Sequence, residues 1–217
     1  MNFIAHYAVS QHQENPLFIF GCLLPDLYRG FTKDYHKFTK FSEPNNNLIF
    51  EGIKFHIATD KVFHNHPFFI AENKRLSKEI HQNNLAHKYS YIISHVLFEL
   101  LLDQYLLTKN PTIHTHFYAT LNHIDNAILT QKLLFFYDND TTNKIIRIFK
   151  SFKTEEYAQF LADAKGIVSS LHHILGTKFD INFDTHKWKS FVEQNMEKYN
   201  SSFENFLNEI KLKLNNA

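Results

Sequence analysis

The chain is short of the residues that cross-link folds and of those that break helices. One cysteine, Cys22, stands in 217 residues. That excludes an internal disulfide framework and a cysteine-based zinc site, because both need clustered thiols, and it leads us to expect a cytoplasmic protein. Only five glycines and five prolines punctuate the chain, and alternating runs bounded by turn residues are scarce. The expected fold class is therefore all-α, a single-domain multi-helix bundle over 1–217. No window approaches about eighteen uninterrupted apolar residues and no basic-then-apolar leader opens the chain, so neither a membrane span nor a signal peptide is expected. An excess of one charge is also missing: 23 Lys and Arg against 22 Asp and Glu leave +1. This removes the bulk electrostatic case for nucleic acid or anionic lipid as a partner. Arginine is the scarcest basic residue, present only as Arg29, Arg75 and Arg147. The P-loop, the dinucleotide glycine fingerprint, G-x-S-x-G and H-E-x-x-H are all absent.

What the chain has instead is histidine, fifteen of them, and imidazole is the commonest biological metal ligand. Three segments carry chemistry. In EGIKFHIATDKVFHNHP, His56, Asp60 and His64 recur every four residues; each step advances only about 40° around a helix, so all three project from one face. One face can chelate, or it can be a solvated stripe of paired charges. In YSYIISHVLFELLLDQYLL, His95, Glu99 and Asp103 repeat the spacing inside a helix that is apolar all round, so these groups are expected to be buried. A buried carboxylate needs a cation, a donor network or a metal, and a closed His95–Glu99 pair would also serve. In GCLLPDLYRG, Asp26 follows an apolar run and can either bridge metals or pair with Arg29. Two facing helices with such stripes can enclose one or two ions. His6, on the apolar opening helix, reads as a core histidine or a ligand. His172 and His173 read as helix-end residues complementing the dipole. The stripe from Phe191 to Leu214 reads as core.

With those motifs in hand, MNFIAH, GCLLPDLYRG, the His56 segment and the H-x3-E helix, in that order, resemble the acyl-carrier-protein phosphodiesterase family over about the first 108 residues. The resemblance implies an all-helical fold of the HD-domain-like kind and metal-dependent hydrolysis of a phosphodiester, with acyl carrier protein as the candidate substrate. It points to His6, Asp26, His56, Asp60, His95 and Glu99 for metal binding; separately from the resemblance, His64, beside that shell, and Asp103 are the expected proton carriers. Residues 1–108 form the metal-site half and 109–217 the helical completion. Where the family carries aspartates, this chain has His64, His95 and Glu99; where it carries an arginine, this chain has Ile57. More imidazole and less carboxylate suits manganese, iron or zinc better than magnesium. Loss of the arginine argues against an unchanged phosphorylated substrate. GCLLPD followed by the histidine-rich helices is also similar to the zinc-dependent phospholipase C fold. A non-catalytic helical binding protein with a degenerate site is the alternative from another class.

Overall fold

The helices begin where short polar side chains satisfy their free amides. In this computed structural model, which describes residues 1–10, 15–28, 47–176, 179, 184–199 and 202–215, the Asn15 side chain accepts from the Leu17 amide with Pro16 in the first turn of α2 (Pro16–Leu27). Asn47 does the same for α3 (Leu48–His64). His66 accepts from the Phe68 amide ahead of Pro67 and starts α4 (Pro67–Gln82). Proline is tolerated at the first helical position because its missing N–H would have had no intrahelical partner there. The opening helix α1 (Phe3–Val9) lacks a side-chain cap of its own.

The order continues with α5 (Ser90–Lys109), α6 (Thr112–Asn122), α7 (Asn126–Leu133) and α8 (Asn139–Glu155). A 3-10 turn (Tyr157–Ala162), α9 (Ala164–Leu171), a π turn (His172–Gly176), α10 (Thr185–Lys198) and α11 (Ser202–Asn215) complete it. No strand occurs among the described residues, so the chain is all-α. Periodicity alone predicts unbroken helices over 113–137, 154–175 and 185–214; each is in fact interrupted. Asp125 breaks the first, its carboxylate accepting from the amides of Ala127 and Ile128 to start α7. Asp163 does so for α9, and the last pair is divided after Lys198. The long loop expected over 31–47 falls almost wholly outside the described residues, as does Arg29.

Replacing Asp125 by alanine leaves those two amides without an acceptor at an exposed helix start. The expected loss is about 1 kcal/mol, or a fall of roughly 2–4 °C in the unfolding midpoint, read by thermal circular dichroism.

The core has two lobes. One gathers α4, α5 and α9 to α11, with Phe98, Trp188 and Phe206 at its centre; the stripe from Phe191 to Ile210 is buried here as its spacing implies. The other gathers α2, α3 and α6 to α8 around Phe20, Phe117 and Phe149. Helix α1 lies between them, Met1, Ala5 and Val9 contributing to the first and Ile4 and Ala8 to the second. Helices α2 and α3 pack backbone to backbone. A Cβ on Gly21 would fall on the Ile49 carbonyl and one on Gly52 on the Phe18 carbonyl, well inside contact distance. Only glycine permits that approach, and it brings Asp26, five residues after Gly21, beside His56, four after Gly52.

Among the described residues, no helix is long and apolar enough to cross a membrane.

Candidate metal centre

Two donor clusters form where α1, α2, α3 and α5 meet. In the first, His6, His56 and Asp60 each offer a ligand atom within 4.8 Å of the others. His56 and Asp60 lie one turn apart on α3, and their Nε2 and Oδ2 are separated by 3.3 Å. His6 reaches in from α1, its Nε2 3.2 Å from Asp60 Oδ1 and its ring stacked on His56 with centroids 4.1 Å apart. Asp26, with a third of its side chain exposed, stands beside this group, 3.8 Å from His6 and 4.0 Å from His56. The second cluster, again two imidazoles and a carboxylate, is His64, His95 and Glu99. Both Nε2 atoms approach Glu99 Oε1, at 3.3 and 3.1 Å. The Met1 ammonium joins the two clusters, 2.7 Å from Asp60 Oδ1 and 3.3 Å from Glu99 Oε1.

The four-residue stripe on α3 therefore divides: His56 and Asp60 serve one cluster while His64 serves the other. On α5, His95 and Glu99 are only part-buried, their side chains 33% and 17% exposed. The apolar-all-round reading of that helix misses this opening, and Tyr91 and Ile92 at its start are exposed as well. Asp103, one turn further, faces elsewhere. It is fully buried and accepts hydrogen bonds from the amides of Ile4 and Ala5 at 3.2 and 2.8 Å. Those are two of the free amides at the start of α1, so Asp103 supplies from α5 the cap that α1 lacks.

The donor set fits a transition-metal ion. His56 Nδ1 lies 2.7 Å from the Cys22 carbonyl oxygen. A carbonyl can only accept, so Nδ1 donates to it, and Nε2, which faces Asp60 and is protonated when His56 is charged, is the nitrogen left to ligate once its proton is given up, the arrangement typical of a ligating histidine. His6 is fully buried, and neither ring nitrogen makes a well-formed hydrogen bond. Burial, with the charge of His56, lowers its pKa to about 3 and keeps it neutral, as a ligand must be. Two imidazoles and one carboxylate are a donor combination that can hold a metal ion.

Burial would raise the Asp60 and Glu99 carboxyls, but the Met1 ammonium and the neighbouring imidazoles outweigh it and hold both well below the ordinary range. Burial would likewise lower the Met1 amine, yet Glu99 and Asp60 raise it to about 11. For Asp26 and Asp103 burial wins: Asp26 rises to about 7 against the pull of His56, and Asp103 to about 7 against its two amide donors.

These shifts set the acid response of the metal-free protein. Groups raised in the folded state add stability as pH falls: Asp26 and Asp103 from about 7 toward 3.8, and His56, which is also raised. His6, lowered from 6.5 to about 3, removes stability over the interval between those values. Above pH 3.8 the contributions oppose one another. Below it the gain from Asp26 and Asp103 is complete, and Asp60, Glu99 and His6 all remove stability as pH falls. We expect a shallow profile from pH 7 to 3.8 and a steeper loss from 3.8 to 3, measured by urea unfolding in a chelator. A flat profile over the lower interval would contradict these assignments.

A cavity of about 600 Å³ opens against the clusters, with Asp26, Glu99 and Met1 in its wall. Its far wall comes from the second half of the chain: Lys144, Ile148 and Phe152 on α8, Tyr157, and His173 with Ile174 in the π turn. None of these was singled out from sequence as a site residue, and His173 reads there as a helix-end residue. The one legible signal is the recurrence of Lys144, Ile148 and Phe152 every four residues. Among the remaining histidines, His66 caps α4 and contacts Glu209 at 3.0 Å. His81, His87, His123 and His186 are exposed, as expected, while His12 and His36 lie outside the described residues.

The chain is thus all-helical and carries two candidate histidine–carboxylate metal groups, one reaching a cavity through Glu99 and the other neighbouring that cavity through Asp26. The description "acyl carrier protein phosphodiesterase" belongs to the family profile that matches residues 1–210, and the chain is a member of that family. The match runs far beyond the first 108 residues, through α8 and the π turn to α11. Neither the curated proteins nor the solved structures contain a match.

Proposed function

We propose that the protein is a metal-dependent phosphodiester hydrolase whose substrate is a phosphodiester-linked group, with acyl carrier protein as the carrier. The observation that carries this reading is the pair of neighbouring groups, each of two imidazoles and a carboxylate and joined through the Met1 ammonium, beside a cavity that Glu99 and Asp26 line, in a chain of this family. His6, His56 and Asp60, with Asp26 beside them, are the proposed ligands of one ion. Glu99, His95 and His64 form the second ligand set, His64 sharing Glu99 Oε1 with His95 and so standing as a ligand and not as a proton carrier. Asp103 becomes a positioning residue: by capping α1 it fixes the helix that carries His6. Held by these residues, manganese, iron or zinc would supply Lewis-acid chemistry, lowering the pKa of water and offsetting charge on the phosphoryl oxygens. In the overall reaction water adds to phosphorus, one P–O ester bond breaks, and the leaving oxygen gains a proton.

This chain's own residues do the rest. His56 is oriented by the Cys22 carbonyl, Asp60 is oriented by both imidazoles, and the apolar lobes behind α1 exclude bulk water from His6. One observation favours a non-catalytic reading instead: the Met1 ammonium already neutralises Asp60 and Glu99, as in a closed polar network. Elemental analysis of the purified protein, with mass-spectrometric detection of phosphopantetheine released from holo acyl carrier protein in manganese, separates the two. The hydrolase reading expects at least about one equivalent of transition metal and metal-dependent release. Protein that neither holds metal nor releases product would overturn it.

A further inference from the structure

Lys144 and His173 come from the half of the chain that supplies no cluster donor, yet both line the cavity that has Asp26 and Glu99 in its wall. Lys144 is exposed and pairs with no carboxylate among the described residues. Its Nζ lies 5.7 Å from the centroid of the Tyr28 ring, two residues after Asp26. Tyr28 is itself held edge-on against Tyr137, with centroids 5.9 Å apart. An aromatic face orients an ammonium without neutralising it, so the charge stays available to an anion.

Two turns of α8 continue from that cation. Ile148 and Phe152 follow Lys144 at four-residue steps and line the same cavity, forming a stripe about 12 Å long that drifts about 40° per step. Val96 and Ile174 add apolar surface to the cavity. The cavity thus presents metal-type donors on one wall and, on another, a cation continuing into an apolar track. A small inorganic anion would use only the first of those two features on α8. A phosphate ester bearing an extended uncharged arm would use both.

We infer that Lys144, Ile148 and Phe152 are specificity-determining residues for that substrate: Lys144, with His173 on the same cavity, holds an anionic phosphoryl oxygen, and Ile148 and Phe152 receive the uncharged arm attached to it. The inference rests on the phosphoester reading above and deepens it by naming residues outside the metal clusters that select the substrate.

The test is calorimetric titration of the full chain, with and without manganese, using pantetheine 4′-phosphate as the armed probe and inorganic phosphate as the bare one. The wild type should bind the armed ester at least about tenfold more tightly than phosphate, and Lys144→Ala should weaken both by about tenfold. Lys144→Arg should restore both to within about threefold, because the charge returns. Ile148→Asn should weaken only the armed ester, by about fivefold, since it removes apolar contact from the arm alone. Thermal melts confirm that each variant is folded; Lys144 is exposed, so its replacements should melt with the wild type. Lys144→Ala within about twofold of wild type on both probes, an equal effect of Ile148→Asn on both, or a wild type that binds neither would overturn the inference. Failure of the function reading looks different: binding differences of the expected pattern would persist while holo acyl carrier protein is not hydrolysed.

Discussion

Substituting His56 by alanine is expected to lower metal-dependent turnover by at least about 1,000-fold and to reduce bound metal, with the helical circular dichroism spectrum unchanged. The size follows from what one side chain does. His56 is nearly buried, gives its Nδ1 proton to the Cys22 carbonyl at 2.7 Å, and directs Nε2 into the cluster with Asp60 and His6. Its removal takes away a donor and also the contact that ties α3 to the last turns of α2, next to Asp26. Glutamine keeps an amide donor for the Cys22 carbonyl but offers no imidazole nitrogen, so His56→Gln should retain more stability than His56→Ala while losing metal equally. The equivalent loss at the second cluster is tested by His95→Ala. If metal and turnover survive in both alanine variants, the clusters are polar networks and the hydrolase assignment fails.

The second large effect is structural. Gly52→Ala should destabilise the protein by about 3 kcal/mol, a drop of roughly 6–12 °C in the thermal midpoint. The added methyl would meet the Phe18 carbonyl and the backbone around Gly21 and Cys22, all rigid helix, so α2 and α3 must separate. That separation acts on the site too, because Asp26 rides on α2 and His56 with Asp60 on α3. Metal affinity should therefore fall with stability, which a surface substitution would not cause. Glu51→Ala is the control: its side chain is exposed and pairs only with Lys54 three residues on, so the stability should stay within about 0.5 kcal/mol of wild type. A Gly52→Ala protein that melts with the wild type would mean that the two helices do not touch backbone to backbone.

Much of the site could be read from the sequence because its donors repeat at helical spacing. His56, Asp60, His95 and Glu99 sit on four-residue stripes, and a stripe is a local property of the chain that needs no knowledge of its neighbours. His6 and Asp26 have no such pattern; each reads as a ligand or as a structural residue, and the resemblance of the opening motif and the glycine-flanked segment is what points to the metal. Asp103 shares a stripe with Glu99, yet about 80° of accumulated drift from His95 turns it under α1, where it binds two amides. Spacing could place it on a face but could not say which helix that face would meet. The helix breaks at Asp125 and Asp163 were missed for the opposite reason. The apolar period continues across them, while a single carboxylate accepting backbone amides decides that a new helix starts.

By itself, then, the sequence determined the helical class, the shortage of cross-links, and which side chains on each helix share a face. These follow from composition and from a repeat of about 3.6 residues, both written along the chain. Only the tertiary structure decided that His64 joins Glu99 rather than Asp60, that Asp103 serves α1, and that Lys144 and Ile148 from the far half complete the cavity. Those contacts join helices that lie far apart along the chain. They depend on how closely two helices can approach, which here is set by two glycines whose missing side chains let α2 and α3 touch backbone to backbone.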